Sequence, residues 1–294
     1  MLPRKLYNKK TIKPSSIGGG FFVFIGIKIG AKTHQFLCLF YTPKNIFAAS
    51  AAEVTSDNVV GYTRLNIAGG QLNCVALQFQ DVGATDGAAS IAKLTSTGLK
   101  AGSYDTMNTE APCIMFYNGA GGYDYFYYIS DAYDADGNMV TTWADANGDE
   151  TDVAKFLGSG FWFKVPEATC TTGTLIHAGE VSNAESLTIN IASGLTLAGN
   201  PFPAGLDLSK VTTEGLEPGI YDTMNTEAPC VMVYNGAGGY NYFYYISDAY
   251  DADGNMVIAW ADANGDAIVG VVAKQGEAFW ARSSTVGTLT FTIK

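Results

Sequence analysis

Cys113-Ile-Met-Phe-Tyr117, Asn118-Gly-Ala-Gly-Gly122 and Tyr123-Asp-Tyr-Phe-Tyr-Tyr-Ile129 read as strand, turn and strand. The outer segments are β-branched and aromatic runs of strand length, and the Asn-Gly stretch accepts the positive φ that a tight connection needs. On the returning strand, the two-residue period sets Tyr123, Tyr125 and Tyr127 on one face and Phe126 and Tyr128 on the other. Working outward, residues 139–143, 161–165 and 174–177 are predicted as further strands, separated by Gly, Asn and Asp. Residues 88–94 are predicted as one short helix without a counterpart later in the chain. Many short strands with frequent turn signals predict an all-β, antiparallel sandwich or barrel.

The hairpin lies inside a duplication. Residues 104–149 recur at 221–266 with a constant shift of 117, and only five of the 46 positions differ. These are Ile114/Val231, Phe116/Val233, Asp124/Asn241, Thr141/Ile258 and Thr142/Ala259. A fold alone tolerates far more drift, since cores accept volume-conserving swaps and surfaces accept almost anything. The likeness extends outward, with Leu65-Asn-Ile-Ala68 matching Ile189-Asn-Ile-Ala192 and Gly160-Phe-Trp162 matching Ala278-Phe-Trp280. The chain therefore reads as a leader over 1–52, a first β repeat over 53–182 and a second over 183–294. The short join, Ser182-Asn-Ala-Glu185, limits the angles between the copies.

Charge separates the leader from the body. Residues 1–52 carry eight Lys/Arg and no acid, whereas residues 53–294 carry nine Lys/Arg and all 28 acids. An acidic, Gly-rich and Tyr-rich body repels phosphate backbones, so nucleic acid is excluded as a partner. The leader has a basic start, an apolar run over 21–29 and a small-residue patch, Ala48-Ala-Ser-Ala-Ala52, in the manner of an export signal. Neither this run nor a second short one, Phe36 to Tyr41, reaches the ~20 residues of a bilayer-spanning helix, so no transmembrane span is expected. Cys113 and Cys230 are repeat equivalents, while Cys74 and Cys170 occur in the first copy alone. A Cys74–Cys170 bridge is open to an oxidising compartment, and free buried thiols are the favoured reading. No CxxC pair supports zinc or redox chemistry.

Two constellations are candidate sites. Asp131, Asp134, Asp136, Asn138 and Asp145 crowd two Gly-containing loops, repeated as Asp248, Asp251, Asp253, Asn255 and Asp262. Calcium takes six to eight oxygen ligands, which alternate residues of such a loop can supply. Gly137 stands at the fourth loop position, where an EF-hand needs glycine at the sixth, and no helix pattern flanks the loop. An EF-hand is thus rejected, leaving a non-helical Ca2+ loop or plain Asp/Asn/Gly turns. The second constellation is the tyrosine row Tyr123, Tyr125, Tyr127 with its copy Tyr240, Tyr242, Tyr244, whose rings can stack sugars. The commoner role for strand aromatics is core packing and cross-strand pairing. Trp143, Trp162, Trp260 and Trp280 are expected as core anchors.

Catalytic arrangements are missing from the pattern. Outside the leader the only histidine is His177, which falls opposite Phe291 in the second copy, so a Ser-His-Asp or Cys-His reading has no base there. Asn118-Gly-Ala-Gly-Gly122 lacks the Lys-Ser/Thr of a phosphate loop. The chain is not expected to be an enzyme. Leu195-Thr-Leu-Ala-Gly-Asn-Pro-Phe-Pro203, Val231-Met-Val-Tyr-Asn-Gly236, Gln275-Gly-Glu-Ala-Phe-Trp280 and Gly287-Thr-Leu-Thr-Phe291 together resemble an all-β module of secreted bacterial surface proteins. The resemblance covers the second copy and most of the first, which has Val75-Ala-Leu-Gln-Phe79 where the Gly-Asn-Pro turn belongs. It implies an exported, non-catalytic module and brings no catalytic residues. The expectation is a structural or adhesive protein of the bacterial surface, with other surface proteins or glycans as partners. Its alternative is a carbohydrate-binding protein, calcium-dependent if the acidic loops hold metal.

Overall fold

The computed structural model describes residues 16–17, 20–29, 33–40, 59–84, 87–167 and 172–292. The chain divides into Met1–Asp57 and Asn58–Lys294. In the first unit β1 (Ser16–Ile17), β2 (Gly20–Ile29) and β3 (Thr33–Phe40) form an antiparallel sheet. The expected cleavage patch at 48–52, and Cys170, lie outside the described residues.

The second unit is all-β. Its first half contains β4 (Val60–Ala68), β5 (Leu72–Ala76), β6 (Ala88–Ser90), β7 (Thr95–Thr97) and β8 (Cys113–Tyr117). There follow β9 (Tyr123–Tyr133), β10 (Met139–Ala144), β11 (Ala154–Phe156), β12 (Gly160–Lys164) and β13 (Thr172–Glu180). The second half contains β14 (Ser186–Ile191), β15 (Gly194–Gly199), β16 (Leu206–Asp207), β17 (Thr212–Glu214) and β18 (Cys230–Tyr234). It ends with β19 (Tyr240–Tyr250), β20 (Met256–Ala261), β21 (Val271–Ala273), β22 (Ala278–Ser283) and β23 (Gly287–Thr292).

The strand order recurs. A five-stranded sheet β10-β9-β8-β12-β5 faces a three-stranded sheet β4-β13-β7 in the first half. The second half repeats this as β20-β19-β18-β22-β15 and β14-β23-β17. The expected hairpin forms with Tyr117 opposite Tyr123 and Cys113 opposite Tyr127. Strand alternation then sorts the side chains. Ile114, Phe116, Phe126, Phe161 and Phe163 turn inward and meet Ile67 and Leu175 of the smaller sheet in a buried core. Val231, Val233, Phe279, Ile191, Leu289 and Phe291 build the matching core of the second half. Of the sandwich and the barrel, the arrangement is that of a sandwich.

One expectation fails. Residues 88–94 are not a helix: Ala88–Ser90 is a strand paired with Ala154–Phe156, followed by a single 3-10 turn at Ile91–Lys93. The Ser90 hydroxyl accepts from the Ala92 N–H at 3.1 Å and caps that turn. A counterpart does exist, since Leu206–Asp207 leads into a 3-10 turn at Leu208–Lys210 with Asp207 accepting from Ser209 N–H at 3.2 Å. Helix-forming alanines are overruled here by pairing with a neighbouring strand.

The outward faces of the two large sheets meet each other. The Ala76 N–H donates to Gly276 at 2.8 Å, and the Gly199 N–H donates to Gly158 at 2.9 Å. Tyr117 packs edge-on against Trp280 at 4.9 Å, and Tyr234 against Trp162 at 5.3 Å. Each contact is repeated with the copies exchanged, as a two-fold relation requires. A second set of bonds ties the copies without such symmetry. Buried Gln78 donates its side-chain amide to the carbonyls of Asn200, Phe202 and Ala204 at 3.1, 2.7 and 3.1 Å. Among the described residues no helix is long and apolar enough to cross a membrane.

Candidate functional site

The acidic loops are built as Asx turns. Asp134 Oδ1 accepts the N–H groups of Asp136 and Asn138 at 3.0 and 2.8 Å, and Asn138 Nδ2 donates to Oδ2 at 3.2 Å. Asp251 repeats the set with Asp253 and Asn255. Asp145 accepts from the N–H groups of Asn147 and Asp149, and Asp262 does the same with Asn264 and Asp266. Asp131 and Asp248 each cap a 3-10 turn by accepting from the N–H of Tyr104 and Tyr221. Gly137 and Gly254 sit at φ +79°, a conformation that a Cβ would strain. The Asn138 backbone N–H bond, ahead of the side-chain and Asp136 bonds, holds the Asp134 carboxyl below the usual range. Asp251 is lowered in the same way by Asn255. Oδ1 of Asp134, Asp145, Asp251 and Asp262 is thus engaged by its own loop's backbone. Among the described residues no group of three or more His, Cys, Asp or Glu is gathered to hold a metal ion.

The six tyrosines fall into three pairs. Tyr127 and Tyr244 are 7 % and 6 % exposed, and their hydroxyls donate to Asn108 and Asn225 at 2.8 and 2.7 Å. Tyr123 and Tyr240 are half-buried where the copies meet, and desolvation raises their pKa. Tyr125 and Tyr242 stand 42 % and 44 % exposed. Each lies nearly parallel to its inner neighbour, Tyr125 to Tyr127 at 9° and Tyr242 to Tyr244 at 11°. Along each row the open ring thus stands between the ring half-covered at the join and the buried ring. Of the tryptophans, Trp143 and Trp260 anchor the two sandwich cores, while Trp162 and Trp280 belong to the cluster at the join.

The imidazole of His177 and the thiols of Cys113 and Cys230 are buried. His177 lies against the edge of Phe79 at 5.4 Å and accepts the Gln78 N–H at Nδ1. Burial lowers its pKa to about 4, against a smaller raising effect of its Phe79 backbone bond. Cys74, Cys113 and Cys230 are free thiols. Desolvation pushes Cys113 up to about 12 and Cys230 up to about 11, and it raises Cys74 as well, helped by Glu277.

Sequence reasoning misses a cleft of about 470 Å³ between the copies, bordered by β5 of the first half and by β18, β19, β21 and β22 of the second. Two of its residues, Val233 and Asn241, are among the five positions at which the near-identical blocks differ. That divergence is visible in the sequence, but its meaning depends on which strands are neighbours. The chain matches no protein-family model and no curated protein.

Proposed function

We propose that the protein is exported and acts as a non-catalytic structural or adhesive protein of the bacterial cell surface. The observation that carries this reading is the exposure of Tyr125 and Tyr242 on sheet faces whose inner tyrosines are fixed by the fold. Rigid aromatic rings with wet hydroxyls give contact area at small entropic cost, which suits binding by surfaces. The burial of His177, Cys113 and Cys230 supports the same view, because groups kept neutral in the core make poor bases and nucleophiles. Fractionation of the producing cell tests the proposal. The protein is expected on intact cells, accessible to added protease and shortened at its N-terminus by mass spectrometry. Recovery of the uncut chain from the cytosol would overturn it.

A second reading is favoured by one geometry, the near-parallel stacking beneath each open ring. A sugar placed on Tyr125 or Tyr242 meets a supported aromatic platform, so glycan binding by the tyrosine rows is the alternative. Binding to a glycan array that is lost in Tyr125→Ala/Tyr242→Ala is the result expected of it.

A further inference from the structure

We infer that the cleft beside β18 and β21 is a binding site for a neutral saccharide, separate from the tyrosine rows. This goes beyond the surface-adhesion reading and does not depend on it. The argument begins with the two copies. At the corresponding place in the first copy stand Phe116, Asp124 and Lys155, with the Lys155 ammonium 4.8 Å over the Phe116 ring. Strand pairing aligns these with Val233, Asn241 and Ala273, since Phe116 opposes Asp124 as Val233 opposes Asn241, and Lys155 opposes Ala89 as Ala273 opposes Leu206. The second copy therefore has Val233, Asn241 and Ala273 where the first has Phe116, Asp124 and Lys155, with Leu206 against Ala273 where Ala89 stands against Lys155. All three replacements line the cleft. Val233, Ala273 and Leu206 are buried in the sandwich core, where Leu206 in place of Ala89 takes up bulk, so the change that reaches the cleft is the loss of both charges, Lys155 and Asp124.

The rest of the lining fits a polyhydroxylated guest. Asn66, Gln71, Asn73 and Asn241 offer amides, which donate and accept within one side chain, as alternating sugar hydroxyls require. Gln71 and Asn241 are exposed, and Asn73 keeps one bond, from Nδ2 to the Phe163 carbonyl at 3.3 Å. Tyr234 brings a partly exposed ring, and exposed Leu72 brings an apolar wall for the C–H face of a pyranose. The single acid, Glu277, is turned to its own loop, accepting the Lys274 N–H at 2.8 Å. A cation would be served better by the aspartate that the first copy keeps. An anion would meet one lysine on a chain of net charge −11. The volume falls in the range of about 300–1,000 Å³ usual for small-molecule sites, room for a mono- or disaccharide.

The test is saturation-transfer NMR on the full chain with methyl glycosides of glucose, galactose, mannose and N-acetylglucosamine and their β-linked disaccharides. At least one is expected to receive saturation and to shift the Asn73 and Asn241 side-chain amides. Restoring the first copy's charge at the exposed position, N241D, is expected to weaken that binding at least tenfold. Gln71→Ala, at an exposed position that carries no packing, is expected to weaken it as well. Tyr125→Ala with Tyr242→Ala leaves it unchanged. Unaltered melting temperatures establish that the variants fold, as the register shared with the first copy predicts. Saturation of none of these sugars overturns the inference, as does binding that survives N241D. Binding lost in the tyrosine variant instead also overturns it, and assigns the sugar to the rows.

Discussion

Ala76 and Gly199 are equivalent positions of the two copies, and they face each other where the large sheets meet. A Cβ built on Gly199 would run into the Cβ of Ala76. Residues near a two-fold axis meet their own equivalents, so one of the two must be small for the backbones to bond through Ala76 N–H and Gly199 N–H. Gly199→Ala is expected to destabilise the fold by about 1–3 kcal/mol, the usual cost of overpacking. Adding Ala76→Gly on the facing strand is expected to return most of the loss. Urea melts of the two single variants and the double variant check this, and purely additive effects would refute the pairing.

The reciprocal ring contacts make a second prediction. Tyr117 with Trp280 and Tyr234 with Trp162 are the same contact made twice, each tryptophan being 5–7 % exposed. Trp162→Ala and Trp280→Ala are each expected to cost about 3–5 kcal/mol, as removal of a packed tryptophan does. Equality matters more than size. If one variant were silent in denaturant melts, the contacts would not be energetically equivalent.

The hairpin at Cys113 to Ile129 was legible because local chemistry and strand period agree there, as was the division of its residues between two faces. The helix expected over residues 88–94 failed because Ala88–Ser90 is decided by a partner, Ala154–Phe156, more than sixty positions away. The tyrosine row was legible as a row. Its division into fixed, half-covered and open rings was not, since that depends on Asn108, Asn225 and the opposite copy. Gln78 gave no signal, because an isolated glutamine in a strand betrays nothing of the three carbonyls that it reaches. The cleft left a faint trace, two exchanged residues in a near-identical block.

Gln78 itself supports a third prediction. Its amide is the buried donor that the carbonyls of Asn200, Phe202 and Ala204 share, and its Oε1 accepts from Thr63 Oγ1 at 3.4 Å. Gln78→Leu removes that donor at nearly constant volume; the Phe202 carbonyl keeps the Ala204 N–H at 2.7 Å and the Ala204 carbonyl keeps Asn200 Nδ2 at 3.3 Å, so the loss falls on the Asn200 carbonyl and on the links between the copies. A loss of about 1–3 kcal/mol is expected, the penalty of an unsatisfied buried polar group. Faster amide exchange confined to residues 200–205 would locate the damage, and unchanged exchange there would refute the assignment.

His177 predicts a pH dependence. It is neutral in the fold with a pKa of about 4, against 6.5 when unfolded, so the unfolded chain binds the extra proton between these values. Its contribution is complete above pH 6.5, falls as the pH drops towards 4, and changes little below that. The difference corresponds to about 3 kcal/mol. His177→Phe, which installs the residue that the second copy has as Phe291, is expected to flatten the stability profile in this window. A profile of the same slope in both proteins would show that other groups govern it.

The acidic loops share that sign, in a more acidic window. The folded pKa of Asp134 and Asp251 lies below 3.8, so their hold on the turns is present above the ordinary carboxylate range and is lost as the pH falls through the lower folded value. Carboxyl carbon titrations by NMR are expected to place both below a free aspartate. Asp134→Asn keeps an acceptor at Oδ1 and is expected to preserve the turn, whereas Asp134→Ala releases the N–H groups of Asp136 and Asn138 and speeds their exchange. Because Oδ1 already accepts two backbone bonds, millimolar calcium is expected to leave the amide shifts of residues 134–138 in place. A saturable shift there, abolished by Asp134→Ala, would show instead that the carboxylates exchange their backbone partners for metal.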